Sequence, residues 1–461
     1  MVAARMRVTC TVAMLLLGVD LFSAAPRPTV DVAAARRTGR EEASRALARH
    51  VAGMQVAAGY EGKLAFVDAY GDADAVNHRP VTASTIFHIA SISKNILAGV
   101  IVRLAEQHRL GLDDVITKYV PNAPTRGAAI TVRQLLNHTS GIYSFTSRDD
   151  AEANEQKVLS HDQVIGLFRD HAPDFQPGTS WRYNNSGFYL AGMVVEAVTG
   201  RPYANYVRVE LFRPLGMNSS SLCGTDDVPA LAGGHRVAGG TPTPTSITWS
   251  LPFAAGAVCA TAADLVRWQS ALESGRVISR AGLTTMRTPT KLTDGSQIDY
   301  GLGTRIGAIG KHAVFGHTGS GGGFATILMT VPDARLTVAV LTNTQGAPPY
   351  DIAEAMVRAA LHEPRPPPRD LEAPEAELTA IAGRYDSDEG PVDLLACGRR
   401  LCARLAGVNQ DLPAPRQGTN EYAVRPGVDA RFDAAHGEPW AFLYGGGLFM
   451  DAKRRVPRSR P

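Results

Sequence analysis

Along this chain the apolar residues change spacing several times, and each change marks an element. Ile96, Val100, Ile101 and Leu104 recur at helical spacing in a run that opens near Ser91, which predicts a helix there. A second helical pattern lies in "EEASRALARHVAGMQVA", from residue 41. Short strands are expected around "KLAFVDAYG". The stretch "GKHAVFGHTGSGGGFATILMTVPDARLTVAVLTN" reads as two strands joined by a Pro-Asp turn, and "DIAEAMVRAALHE" as the amphipathic helix that closes the unit. Between about 110 and 260 the pattern is mostly helices and loops.

Strand-rich ends around a helical middle predict an α+β fold: an antiparallel β-sheet flanked by helices, with an inserted all-helical region. "HEPRPPPRDLEAPEAE" is a proline-rich, solvated linker, placed at 364–376. Beyond it, alternating stretches such as "VDLLA", "EYAVRP" and "WAFLYGG" read as a small C-terminal all-β module, 377–461. Residues 26–41 are expected to be a flexible leader, which leaves 42–363 for the principal domain. No internal repeat is visible.

Composition narrows this picture. A chain of 461 residues exceeds one compact core, in keeping with two domains. The net charge is +3, and the basic residues are scattered without interleaved aromatics, which argues against nucleic acid as a partner. At the N-terminus, Arg5 and Arg7 precede "VTCTVAMLLLGV", and "SAA" at 23 to 25 offers small residues for cleavage. Residues 1–25 therefore read as an export signal, and the protein as secreted or periplasmic. The apolar run is short for a bilayer span, and a retained anchor is the alternative. Cys10 falls inside this segment. Cys223, Cys259, Cys397 and Cys402 remain, and an oxidising compartment permits disulfides. Cys397 and Cys402 could bridge a hairpin, which leaves Cys223 with Cys259; buried free thiols are the competing reading. No zinc-type cysteine spacing and no His-Glu-x-x-His occurs, so no metal or cofactor is expected.

Three short stretches carry candidate chemistry. "ASISKNIL" places Ser91 and Lys94 three positions apart, on one face of a helix. The helix dipole favours an attacking oxyanion at its first turn, and burial would lower the lysine pKa toward that of a usable base. A capping serine followed by a solvent lysine gives the same four letters. "WRYNNSGFYLAG" offers Tyr183, whose phenol can relay protons, and Asn185, whose amide can orient the lysine. A polar loop over a buried tyrosine would look alike. "VFGHTGSGGGFA" offers His317, Thr318 and Gly319 on a strand edge that a substrate backbone could approach, or a glycine-rich hairpin with a surface histidine.

The ordered set SxxK, YxN, HTG resembles the penicillin-recognising serine hydrolases: class C β-lactamases, serine D-Ala-D-Ala carboxypeptidases, D-aminopeptidases and related esterases. "ITVRQLLNHTSGI", "VELFRPLGMNSSSL" and "GAVCATAADLVRW" are similar to further family stretches, although Cys259 and Ala260 stand where other small residues are usual. The resemblance covers residues 42 to 362, and the C-terminal module is similar to the β-barrel appendage of many members. It implies Ser91 as the nucleophile of an acyl-enzyme, with Lys94 and Tyr183 sharing acid and base work. It implies substrate binding by Asn185, His317, Thr318, Gly319 and Ser320, with the backbone N–H groups of Ser91 and Ser320 as the oxyanion hole. One such donor is worth about 3 kcal/mol of barrier lowering. His317 departs from the lysine usual in class C β-lactamases; a histidine is mostly neutral at pH 7 and cannot replace its permanent charge. No glutamate is evidently placed to activate a deacylating water.

The implied activity is hydrolysis of D-amino-acid peptides or small esters, with class C-like β-lactamase action as the alternative. A reading of a different class is a non-catalytic cell-wall or β-lactam-binding sensor, which the intact Ser91, Lys94 and Tyr183 disfavour. A Ser-His-Asp hydrolase would need Gly-x-Ser-x-Gly, which is absent, and His138 in "NHTSGI" reads as structural. The oligomeric state is not legible.

Overall fold

The computed structural model describes residues 27–147, 151–224, 231–385, 392–405, 411–425, 428–433, 439–445 and 447–454. The expected export signal, with Cys10, lies outside the described residues. Among the described residues no helix is long and apolar enough to cross a membrane.

The first departure from expectation comes at once. A helix, Val32–Ala48, occupies most of the segment read as a flexible leader. Asp31 caps it by accepting a hydrogen bond from the Ala34 amide at 2.8 Å. Its alanine-rich face buries Ala35, Gly39, Ala43 and Ala46. This narrow face packs on the helix Pro349–Leu361: a Cβ at Gly39 would already stand 3.1 Å from Met356 Sδ. Small residues, rather than a strong apolar stripe, make the contact, so the helical period is weak in the sequence.

The principal sheet is antiparallel and contains 12 strands among the described residues. Its hydrolase-like half runs Arg305–Ile309, His312–Gly321, Phe324–Val331, Leu336–Thr342, Gly53–Tyr60, Lys63–Asp74 and Arg79–Pro80, in that spatial order. The stretch read as two strands is three. The Pro-Asp turn joins the second to the third, and Gly321, Gly322 and Gly323, all at positive φ, make the first hairpin. Only glycine adopts three such conformations in succession without strain.

Each face of the sheet is covered. The terminal helices Val32–Ala48 and Pro349–Leu361 bury Val56, Met329, Val338 and Met356 on one side. On the other, the helices Ser93–Glu106 and Ala262–Glu273 and the helical region pack around Ile96, Leu190, Trp268 and Leu341. The helical middle also holds a small hairpin, His235–Ala238 with Thr241–Pro244.

The C-terminal module has its own core of Leu378, Ile381, Tyr385, Leu401, Tyr422 and Phe432. A short helix, Glu375–Ile381, leads from the linker into its sheets, with Pro374 before its first turn and Glu375 and Glu377 at its positive end. The described strands of the module do not form one closed sheet. Gly383–Tyr385 to Leu412–Ala414 make a four-stranded sheet, whereas Arg416–Gly418 to Leu448–Arg454 extend the principal one. The junction is the pair Gly307 and Leu448.

Cys223 is bonded to Cys259 and Cys397 to Cys402, with Cα separations of 5.3 and 6.0 Å. The first bridge staples Ser221–Leu222 to Val258–Ala260, which in turn pairs with Phe87–His88 just ahead of Ser91.

Candidate active site

Ser91 sits in a single 3-10 turn, Ala90–Ile92, that leads into the helix Ser93–Glu106. Ala90 has φ +46°, a left-handed conformation that costs a non-glycine residue about 1–3 kcal/mol and persists only where the surroundings enforce it. Ser93 enforces it here: its Oγ donates to Ala90 O at 2.6 Å and accepts from the Val258 amide at 3.1 Å. The hydroxyl of Ser91 is thus held on a sharp corner, half-buried, at the positive end of the helix.

One helical turn on, Lys94 is completely buried. Its three N–H bonds are all used: Nζ donates to Ser91 Oγ at 3.1 Å, to Asn185 Oδ1 at 2.6 Å and to Ala255 O at 2.9 Å. The ammonium also lies 4.9 Å from the centre of the Tyr183 ring and 5.4 Å from that of Phe188. Burial, with the Arg305 charge adding to it, holds the Lys94 pKa well below the ordinary lysine range. This makes the neutral amine easier to reach than in an ordinary lysine.

Tyr183 and Asn185 reach the cleft because Asn184 between them caps the helix Asn185–Thr199. Asn184 accepts from the Gly187 amide at 2.7 Å and donates to Ile142 O. The Asn185 Nδ2 donates to Thr146 Oγ1 at 3.1 Å, which fixes its oxygen toward Lys94. The Tyr183 ring lies between two cations, 4.9 Å from Lys94 Nζ and 5.5 Å from the Arg305 guanidinium carbon. Burial pushes its pKa up to about 12, against the lowering effects of Arg305 and Ser91. At neutral pH the phenol is therefore protonated, and the Lys94 amine, whose pKa is lowered, is the better-placed group to accept a proton.

The third element is the strand His312–Gly321. Its neighbour Arg305–Ile309 pairs with it only as far as Gly316, so on that side His317 to Gly321 have no strand partner among the described residues. Gly319 lets this edge abut the Ser91 turn: a Cβ there would lie 2.3 Å from Ile89 O and 3.2 Å from Ala90 Cβ. Thr318 is half-buried and Ser320 exposed. His317 differs from the reading of a residue that itself contacts substrate. Its ring is wholly enclosed, with Nδ1 bonded to Thr318 O at 2.6 Å and Nε2 to the Tyr300 hydroxyl at 2.9 Å. Burial, Arg305 and Lys94 hold its pKa well below the usual histidine range, so it carries no charge to offer a carboxylate.

Two residues that the sequence did not mark complete the cleft. Tyr300 holds His317, and Arg305 is the cation beside Tyr183, its guanidinium carbon 5.5 Å from the ring centre. Both lie in "DYGLGTR", which has neither motif spacing nor a charge cluster to single them out. His138 is structural as expected. Its Nδ1 accepts from the Asn184 amide at 3.0 Å, and its ring is wedged among Trp181, Tyr183, Phe188 and Tyr300. A separate cavity of about 930 Å³, bounded by Glu61, Val266 and Phe315 among others, contains none of these groups. Its Arg287 is paired with Glu273, so it offers no comparable chemistry.

The sequence profile of the family described as Beta-lactamase matches residues 33–363. Penicillin-binding protein 4 of Amycolatopsis lactamdurans is 27% identical over 376 residues, 74% of this chain and 94% of that protein. A D-aminopeptidase of Cereibacter sphaeroides is 27% identical over 312 residues, 66% of this chain but only 59% of the relative's length. A crystal structure of a D-stereospecific amidohydrolase from Streptomyces superposes with a TM-score of 0.60 at 27% identity, covering 72% of this chain and 98% of the other.

Proposed function

We propose, from the premise that this chain belongs to the beta-lactamase family of serine hydrolases, that it cleaves amide or ester bonds of D-amino-acid derivatives through an acyl-enzyme on Ser91. The observation that carries this reading is Lys94 Nζ, buried and shared between Ser91 Oγ at 3.1 Å and Asn185 Oδ1 at 2.6 Å. In the proposed reaction neutral Lys94 takes the Ser91 proton as Oγ attacks the substrate carbonyl. The carbonyl oxygen becomes an oxyanion between the backbone N–H groups of Ser91 and Ser320. Tyr183, protonated, gives its proton to the departing nitrogen or oxygen as the amine or alcohol leaves, and Lys94 passes the proton it took from Ser91 back to the phenol. Water then attacks the ester, its proton passing to Lys94 and on to Ser91 Oγ as the carboxylic acid leaves.

The substrate class follows from what surrounds this machinery. With His317 neutral and enclosed, a free carboxylate next to the scissile bond finds no charged partner from the HTG strand. This favours D-aminoacyl amides, peptides and small esters over β-lactams, whose recognition leans on such a carboxylate. The likeness to a D-aminopeptidase and a D-stereospecific amidohydrolase points the same way. Penicillin-binding relatives keep β-lactam turnover as the second reading. Secretion remains part of the proposal on the N-terminal pattern alone.

The test is a paired panel: D- and L-alanine p-nitroanilide, p-nitrophenyl acetate, a D-Ala-D-Ala peptide and nitrocefin. The proposal expects D-anilide turnover at least tenfold above the L-isomer and above nitrocefin. L-selective turnover, or nitrocefin as the best substrate, would overturn the substrate assignment.

A further inference from the structure

The C-terminal module reaches the cleft. Its last strand, Leu448–Arg454, runs beside Arg305–Ile309 through the Gly307 and Leu448 pair. The approach is close: a Cβ on Gly307 would lie 2.0 Å from Gly447 O. This brings two carbonyls of that strand onto Arg305, whose Nη1 donates to Phe449 O at 3.0 Å and to Met450 O. Arg305 is buried, and its Nε has no hydrogen-bond partner among the described residues. Around it the module and the principal domain share one cluster. The Phe449 ring lies 5.4 Å from Trp181, Trp181 lies 5.9 Å from Tyr300, and Tyr183 packs against the same group. The Tyr444 hydroxyl donates to Asp299 Oδ2 at 2.5 Å, next to Tyr300.

A buried guanidinium needs acceptors, and its planar fork points where those acceptors lie. Here the acceptors belong to the module, while the guanidinium carbon lies 5.5 Å from the centre of the Tyr183 ring. We infer that the C-terminal module is a positioning part of the active site: the Phe449 and Met450 carbonyls hold Arg305, and Arg305 sets the Tyr183 phenol against Ser91 and Lys94. Arg305 is thus a positioning residue and the module its mount. The electrostatics agree, since the Arg305 charge lowers the pKa values of Lys94, Tyr183, His138 and His317. With Tyr300, these are the titratable groups that face the guanidinium from the packed elements.

The inference rests on the proposed reading for its rate measurement, and its second readout needs no turnover. Full-length Gly307→Val would push the last strand away without substituting any cleft side chain; Phe449→Ala loosens the same strand if the valine variant fails to fold. Amide exchange of Leu448–Arg454 reports the displacement. Acylation is followed with p-nitrophenyl acetate. The Lys94 titration is followed by carbon-13 NMR of Cε-labelled lysine, assigned by its loss in Lys94→Met. The expected result is that Gly307→Val and Arg305→Gln each slow acylation about tenfold or more, the scale of a small misplacement in a cleft. The double variant should be no slower than either single one. Both should move the Lys94 titration to higher pH, whereas Arg305→Lys, which keeps the charge, leaves it near the wild-type position. A displaced strand with wild-type acylation and an unmoved titration would overturn the inference, as would losses that multiply in the double variant. Should wild-type Ser91 fail to acylate at all, the functional reading fails instead, and the titration still decides the coupling.

Discussion

At the scale of single residues, the account turns on the protonation of Lys94. Burial among Ser91, Asn185, Ala255 and two aromatic rings lowers its pKa, while burial raises that of Tyr183 to about 12. The sign follows directly. Acylation requires the neutral amine, so the rate climbs as pH rises through the lowered Lys94 pKa and levels off beyond it. The phenol stays protonated over that whole range. Stopped-flow acylation between about pH 5 and 10 should give this single rising limb, with Lys94→Arg reduced by about 10² to 10⁴ because its guanidinium never gives up its proton. A rate that falls across the same range would transfer the base role elsewhere. Ser91, Lys94, Tyr183 and Asn185 were all legible in the sequence because each lies within a few positions of a helix start, where spacing dictates a shared face. Tyr300 and Arg305 were not, because they meet Tyr183, far upstream in sequence, only once the helical region and the sheet have packed together. His317 was legible as a site residue but misread in role, since nothing in "HTG" reports that Tyr300 will enclose it.

At the scale of elements, the cleft depends on how closely the HTG strand approaches the Ser91 turn. Gly319 is the point of contact, with no room for a methyl group against Ile89 O or Thr326 Oγ1 at 2.4 Å. Gly319→Ala should therefore part the two elements, costing about 1–3 kcal/mol of stability as an overpacked site. It should also slow acylation by at least tenfold. Thermal unfolding combined with acylation kinetics checks both; an alanine variant with native stability and rate would contradict the geometry. Element boundaries were legible where the apolar period was strong, as in Ser93–Glu106 and Pro349–Leu361. They failed where small residues carry the packing. The helix Val32–Ala48 buries alanines and a glycine, so its buried face leaves little hydrophobic contrast, and the glycine triplet hid a hairpin inside what read as one strand.

At the scale of the whole molecule, the linker and the C-terminal module were legible from proline content and strand alternation, but their relation to the rest was not. Strand order across a domain boundary depends on an edge-to-edge match, Gly307 with Leu448, that has no local signature. The expected small all-β module is present, and part of it continues the principal sheet. Throughout the molecule the claim that matters most is the same: that Ser91 is made nucleophilic by its buried neighbours and carries the acyl group. Intact-protein mass spectrometry after a brief exposure to p-nitrophenyl acetate quenched in acid, followed by peptide mapping, tests it most directly. The account predicts one adduct, on Ser91, that disappears in Ser91→Ala and forms far more slowly in Lys94→Met. An adduct mapped to another residue, or an undiminished adduct in Ser91→Ala, would contradict it.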